Sequence, residues 1–213
     1  MPTNQTYKIR SKRHGLDLRV SRGHFATSHS HTNYYIDVTV PKARLSEASA
    51  IAKELVSYYN TNTIVDTILC LDGTEVIGAC LAKELTDGNY MNMNAHQTIY
   101  VVTPEHTSGS QLIFRDNTVP MIRGKHVLIL AASVTTGYTA KAATEAIAYY
   151  NGHTAGICAI FATTDTCAGY PVRATFDLND LSDYQSAPSH ECPLCKQGVK
   201  IDALINGFGY SKL

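Results

Sequence analysis

Across 213 residues the chain carries 18 Lys+Arg and 18 Asp+Glu, so its formal net charge is zero. That balance excludes a general electrostatic pull toward nucleic acid or an anionic membrane. With no run approaching about 18 consecutive apolar residues, a transmembrane helix is not expected either.

The first residues, MPTNQTYKIRSKRHG, are basic and polar and lack an apolar segment, so a secretory leader is not expected. Gly23–Asp37 (GHFATSHSHTNYYID) is a polar lead-in, and Tyr34–Val40 (YYIDVTV) predicts a strand. Leu45–Asn60 predicts an amphipathic helix, with Ser46 as its cap and Ile51, Leu55 and Tyr58 near one face. Thr63–Leu71 predicts a strand, and Thr74–Leu85 a helix after the turn Asp72-Gly73. His96–Val102 predicts a strand, followed by a polar loop, Thr103–Thr118. Strand Val127–Ala131, helix Gly137–Tyr150, strand Ala155–Phe161 and an edge strand Val172–Phe176 complete the core. Alternating strands and helices imply a parallel sheet with right-handed crossovers, whose ligands gather at the carboxyl ends of the strands. The chain holds six cysteines. Cys70, Cys80 and Cys158 fall in apolar runs and read as buried free thiols of a reduced, cytoplasmic protein.

His126–Ala140 (HVLILAASVTTGYTA) is the most informative stretch. A buried strand, a Thr/Gly turn and a helix together aim backbone N–H groups, hydroxyls and a helix dipole at an anion. Ser133, Thr135, Thr136, Gly137, Tyr138 and Thr139 are the candidate phosphate-binding residues. No carboxylate stands at the strand–turn junction, where Ala131 and Ala132 sit. These residues resemble the PRPP motif of type I phosphoribosyltransferases: four apolar strand residues, an acidic pair that holds the ribose hydroxyls, two more residues, then Thr-Thr-Gly. The acidic pair falls on Ala131 and Ala132, so the motif is degenerate.

Gly23–Asp37 is similar to the N-terminal signature of orotate phosphoribosyltransferases, with Ser28 matching, His29 replacing a Gly and Asn33 a Pro. His31 then falls near a substrate-contacting position. By the same resemblance Asp72, Gly73 and Thr74 form the pyrophosphate loop, where Glu75 would repel a diphosphate. Tyr100–Gly109 (YVVTPEHTSG) starts the mobile lid. The lid's cationic positions fall on Val102, Thr103 and His106, its His on Ser108, and its Gly is retained as Gly109. His106, a candidate catalytic residue, with Arg115 and Arg123, would have to supply the missing charge. Hydrogen bonds to charged groups are worth about 1.5–3 kcal/mol each, so losing the acidic pair should weaken PRPP binding by about two to four powers of ten. One well-aimed charge-stabilising donor is worth about 10²–10³ in rate.

The C-terminal His190-Glu191-Cys192-Pro193-Leu194-Cys195 carries a Cys-x2-Cys spacing that can supply two zinc ligands. His29 and His31 are the candidate second pair, since the termini of this family form one hood. A pair of free thiols or a redox pair is the competing reading. Ile201–Ile205 reads as a short apolar segment, and Gly207–Tyr210 as a docking tail.

The resemblance implies an α/β, type I phosphoribosyltransferase-like fold: a central parallel sheet of about five strands with flanking helices. It would be a single domain over 1–213, with its core at about 41–180 and its hood from about 1–40 and 181–213. The implied activity is transfer of phosphoribosyl from PRPP to orotate in pyrimidine biosynthesis, with Mg²⁺, in a homodimer, at weak or altered rate. Two alternatives stand beside it. One is a non-catalytic nucleotide-binding regulator. The other is a metal-dependent enzyme using His29, His31, Cys192 and Cys195.

Overall fold

Residues 5–12, 15–87, 92–95, 97–107 and 111–213 are described by a computed structural model. The N-terminal strands β1 (Gln5–Arg10), β2 (Asp17–Ala26) and β3 (His31–Asp37) form an antiparallel meander. The short α1 (Thr39–Ala43) leads into α2 (Leu45–Val56), β4 (Thr67–Cys70), α3 (Glu75–Thr86) and β5 (Tyr100–Val102). A small hairpin, β6 (Glu105–His106) with β7 (Leu112–Ile113), precedes β8 (His126–Val134) and α4 (Tyr138–Tyr149). Then come β9 (His153–Ala162), β10 (Thr166–Cys167), β11 (Tyr170–Phe176), β12 (Ser186–Ala187), α5 (Pro193–Lys196), β13 (Ala203–Asn206) and β14 (Gly209–Lys212).

The central sheet has the order β10-β11-β9-β8-β4-β5. Its strands β11, β9, β8, β4 and β5 run parallel, and only the two-residue β10 is antiparallel. Both faces are covered, which is why its strands read as unbroken apolar runs. Leu128, Leu130 and Ala132 face α2, α3 and the hood, packing with Ile51, Leu55, Ile77 and Leu81. Val127, Ile129 and Ala131 face α4, packing with Ala140, Ala143 and Ile147. Strand alternation therefore sends the two junction alanines into opposite layers.

A second sheet, β12-β3-β2-β13-β14 with β1 on β2, joins both chain ends into the hood. The sequence reading missed β1 and β2. Their charged residues, Lys8, Arg10, Arg19 and Arg22, are those of half-solvated strands, and they mask the alternation of the buried Leu18 and Val20. Val38–Val40, expected in a strand, instead turns into α1. Helix α2 begins after Arg44, so Ser46 lies inside it and bonds Glu47 rather than capping. Tyr59, not Tyr58, enters the core, where its hydroxyl donates to the Ile157 carbonyl. The expected loop 103–118 contains the β6–β7 hairpin. His96, Ser108 and Gly109 lie outside the described residues. No described helix is long and apolar enough to cross a membrane.

Candidate functional site

The carboxyl ends of β4 and β8 open onto a cleft of about 500 Å³ roofed by the hood. Ser133, Thr135, Thr136, Gly137, Tyr138 and Thr139 all line it. The turn is shaped by Gly137, whose φ of 74° is the left-handed conformation that glycine adopts without strain. A Cβ there would also stand 2.8 Å from Cys167 Sγ. The turn is anchored from the β9 side, where Thr163 donates from its amide to the Val134 carbonyl and from its hydroxyl to the Thr135 carbonyl. The first intrahelical bond of α4 runs from Lys141 N–H to the Gly137 carbonyl at 2.8 Å. The amides of Tyr138, Thr139 and Ala140 thus have no intrahelical acceptor. No acidic side chain occupies that first turn, and no side chain caps it. The combination favours a bound anion.

Across the cleft lies the Asp72-Gly73 turn, with both residues left-handed at φ 56° and 78°. Asp72 lines the cleft. Burial raises its carboxyl above the usual range, opposed by Lys42, His106 and the Ala132 amide. Thr74, expected in the pyrophosphate loop, is fully buried. Its hydroxyl is 2.9 Å from the Leu71 carbonyl and 3.0 Å from that of Leu130, tying β4 to β8. Its side chain faces the core, not the cleft. Gly73 lies against Lys42, a residue the sequence did not single out. Lys42 Nζ donates to the carbonyls of Asp72 and Gly207 and sits 5.9 Å from the Phe208 ring. Burial pulls its pKa below the ordinary lysine value. The docking tail expected at Gly207–Tyr210 is thus the β13–β14 turn, and its Gly207 and Phe208 form part of the cleft wall.

His106 lines the cleft from β6. Arg115 is committed to Glu105, with Nη2–Oε2 at 2.6 Å and Nε–Oε1 at 2.9 Å, and neither Arg115 nor Arg123 lines the cleft. Val102 is buried in the apolar layer, in register with Leu69.

Of the two hood histidines expected as zinc candidates, His31 joins the cysteines, and His29, rather than His31, lies at the cleft. His29 lines the cleft and stacks on Tyr138, ring centres 4.5 Å apart. His31 does not line it. Its Nδ1 is 3.2 Å from Cys195 Sγ and 3.1 Å from His24 Nε2. The potential ligand atoms of His24, His31, Cys192 and Cys195 all lie within 4.8 Å of one another. His24 takes the place expected of His29 because Ala26 pairs with His31 across β2 and β3, which makes His24 the diagonal neighbour of His31. His29 lies in the connecting loop.

No family model matches the chain. It is 27% identical over 184 residues to the orotate phosphoribosyltransferase of Chlorobaculum parvum, covering 85% of this chain and 86% of that protein. The orotate phosphoribosyltransferase of Mycobacterium tuberculosis, solved with Fe(III) dicitrate, superposes with a TM-score of 0.52 at 15% identity, over 83% of this chain and 92% of that one. The adenine phosphoribosyltransferase of Leishmania tarentolae gives 0.51 at 14% identity, over 69% and 78%. In fold, the chain is type I phosphoribosyltransferase-like. Thr135-Thr136-Gly137 stands between β8 and α4, with Gly137 left-handed. Of the two junction positions where the resemblance expects acids, Ala132 lines the cleft and Ala131 packs in the α4 layer.

Proposed function

We propose that the cleft receives the ribose 5-phosphate part of PRPP or of a nucleoside monophosphate, and that the chain carries out orotate-type phosphoribosyl transfer slowly. The observation that carries this reading is the left-handed Gly137 turn, with its three open helix-end amides, facing a cleft of about 500 Å³. Thr135–Thr139 hold the 5′-phosphate. The base nitrogen of orotate displaces pyrophosphate from the anomeric carbon, giving orotidine 5′-phosphate.

Three features of this chain set the rate. The phosphate has a cradle of backbone amides and hydroxyls. The ribose hydroxyls meet Ser133 and Asp72, and Asp72 is the single carboxylate lining the cleft among the described residues. The diphosphate meets His106, while Lys42 is occupied by two backbone carbonyls. Asp72, half-buried and bonded by the Ala132 amide, does not make a Mg²⁺ cage. Magnesium belongs to this reaction as a companion of the diphosphate, which supplies its own oxygens. We take the active form as a cytoplasmic homodimer, on the analogy of such scaffolds.

Calorimetry with PRPP and with orotidine 5′-phosphate, with and without Mg²⁺, beside a pyrophosphate-release assay, tests the reading. The nucleotide should bind without Mg²⁺, and orotate turnover should be measurable but slow. Failure of both phosphate esters to bind would remove it. Binding with no turnover would leave the cradle and return the non-catalytic alternative.

A further inference from the structure

We infer that His24, His31, Cys192 and Cys195 form a closed, four-coordinate zinc site that staples the C-terminal segment onto the hood. The site is independent of the phosphate cleft.

The first argument is geometric. Zinc bonds of about 2.05 Å to nitrogen and 2.3 Å to sulfur, set tetrahedrally, place two nitrogens about 3.3 Å apart and a nitrogen and a sulfur about 3.5 Å apart. Here His24 Nε2 and His31 Nδ1 are 3.1 Å apart. The nitrogen–sulfur separations are 3.2 Å for His31–Cys195, 3.5 Å for His24–Cys192 and 3.7 Å for His24–Cys195. Four of the six separations thus match those of a zinc tetrahedron within a few tenths of an ångström, and all four atoms lie within 4.8 Å of one another.

The second argument is the tautomer. His24 Nδ1 is 2.8 Å from the Val199 carbonyl. A carbonyl only accepts, so Nδ1 carries the proton and Nε2 turns its lone pair toward the cluster. Metal-ligating histidines are oriented by this kind of outer contact.

The third argument concerns what else holds the segment. Between Leu181 and Ala203, Cys192 is the only buried residue, and α5 buries none of its own. Tyr184 packs on the main core and β12 pairs with β3, but past Ala187 apolar packing offers the segment little besides Cys192. A staple between it and the β2–β3 hairpin supplies the hold. The chain continues from Cys195 through Asp202, whose carboxylate accepts the His24 amide at 2.8 Å, into β13 beside β2.

Two thiolates and two imidazoles of this geometry select zinc among the common divalent ions. Loading forms two Zn–S and two Zn–N bonds and releases the two thiol protons to water. Nothing is oxidised or reduced. All ligand positions are filled by the chain, so the role is structural, and no position is left for a reacting water.

The test is elemental analysis of the untagged full chain purified under reducing conditions, followed by exchange of the metal for Co²⁺. The expected result is one zinc per chain and, with cobalt, thiolate charge-transfer bands of a tetrahedral site. Cys195→Ser and His24→Ala should lose the metal to a chelator that leaves the parent loaded, while His29→Ala should keep it. Chelation of the parent should lower its Tm. A chain that holds no metal as purified and takes up no Co²⁺ would overturn the proposal. So would a Cys192–Cys195 disulfide in freshly reduced protein, or unchanged cobalt bands in Cys195→Ser. Should the variants fail to fold, the stoichiometry and cobalt spectrum of the parent still decide. Neither readout depends on whether the cleft binds a phosphate ester.

Discussion

The two walls of the cleft are held by different forces. The sheet wall, from β8 into the first turn of α4, is gripped by apolar layers on both faces, with Val127 to Leu130 fully buried. The hood shares the main apolar core through Leu18, Val20 and Tyr34 and has a small apolar cluster of its own, Phe25, Tyr35 and Ala203, with Ile205 against it. To these it adds polar contacts: Asp202 with the His24 amide, Lys42 with the Gly207 carbonyl, and the cysteine–histidine cluster. Apolar burial needs no solute and tolerates changes in pH. Polar staples answer to protons and metals. The Thr135–Thr139 turn is therefore built on the insensitive wall, and the hood that covers it carries the added contacts that answer to protons and metals.

The largest expected effect separates the two junction alanines. Ala131→Asp places a carboxylate in the dry α4 layer and should cost about 3–5 kcal/mol, the range for an uncompensated buried charge. Ala132→Asp opens onto the cleft, should cost clearly less, and should raise PRPP affinity by returning an acceptor for the ribose. Urea unfolding of both variants, with calorimetry of the second, checks this. Equal costs would mean that the two faces of β8 are not distinct.

A smaller loss is expected at the turn. Gly137→Ala forces a side chain into left-handed backbone against Cys167 and should cost about 1–3 kcal/mol. Its phosphate affinity should fall as well. Retained affinity for orotidine 5′-phosphate would remove this turn from the site.

Thr74→Val keeps the shape and removes two hydroxyl contacts, so about 1–2 kcal/mol should be lost. Ligand affinity should stay unchanged, because this hydroxyl serves the sheet wall alone. A selective loss of diphosphate affinity would restore Thr74 to the pyrophosphate loop.

The smallest effect lies where the walls meet. Burial raises the Asp72 carboxyl, so the folded chain holds that proton more tightly than the unfolded one. The resulting stabilisation is complete below the ordinary carboxylate range and is lost as pH rises through the raised value. Asp72→Asn mimics the protonated form. It should be more stable than the parent at neutral pH and indistinguishable from it in acid. Thermal unfolding across that range, showing a difference that grows toward acid, would reverse the assignment.

Much of the sheet wall was legible because it is local. An apolar run, a Thr-Thr-Gly turn and a helix-period segment are contiguous in the chain, and burial on both faces left the strand signals unbroken. The hood was poorly legible for the converse reason. Solvent on one side of β2 allowed Arg19 and Arg22 to interrupt its pattern, and its contacts join residues more than 150 positions apart, as between His24 and Cys192. The Cys-x2-Cys pair and His31 were visible as members of one cluster, but His24 was not singled out and His29 lies at the cleft instead. His29 and His31 are near neighbours in sequence, whereas strand register pairs His31 with Ala26 and so sets His24 diagonally beside it.

The order of residues by itself determined the parallel sheet, the Thr-Thr-Gly turn between β8 and α4 and the absence of a carboxylate at Ala131 and Ala132, since each depends on side chains adjacent along one strand or turn. Tertiary structure alone decided that Thr74 spends its hydroxyl on the core, that Lys42 is capped by the C-terminal turn, and that two histidines and two cysteines converge. Those outcomes depend on which strands pair and in what register, and pairing is settled by the burial of whole faces rather than by any one segment.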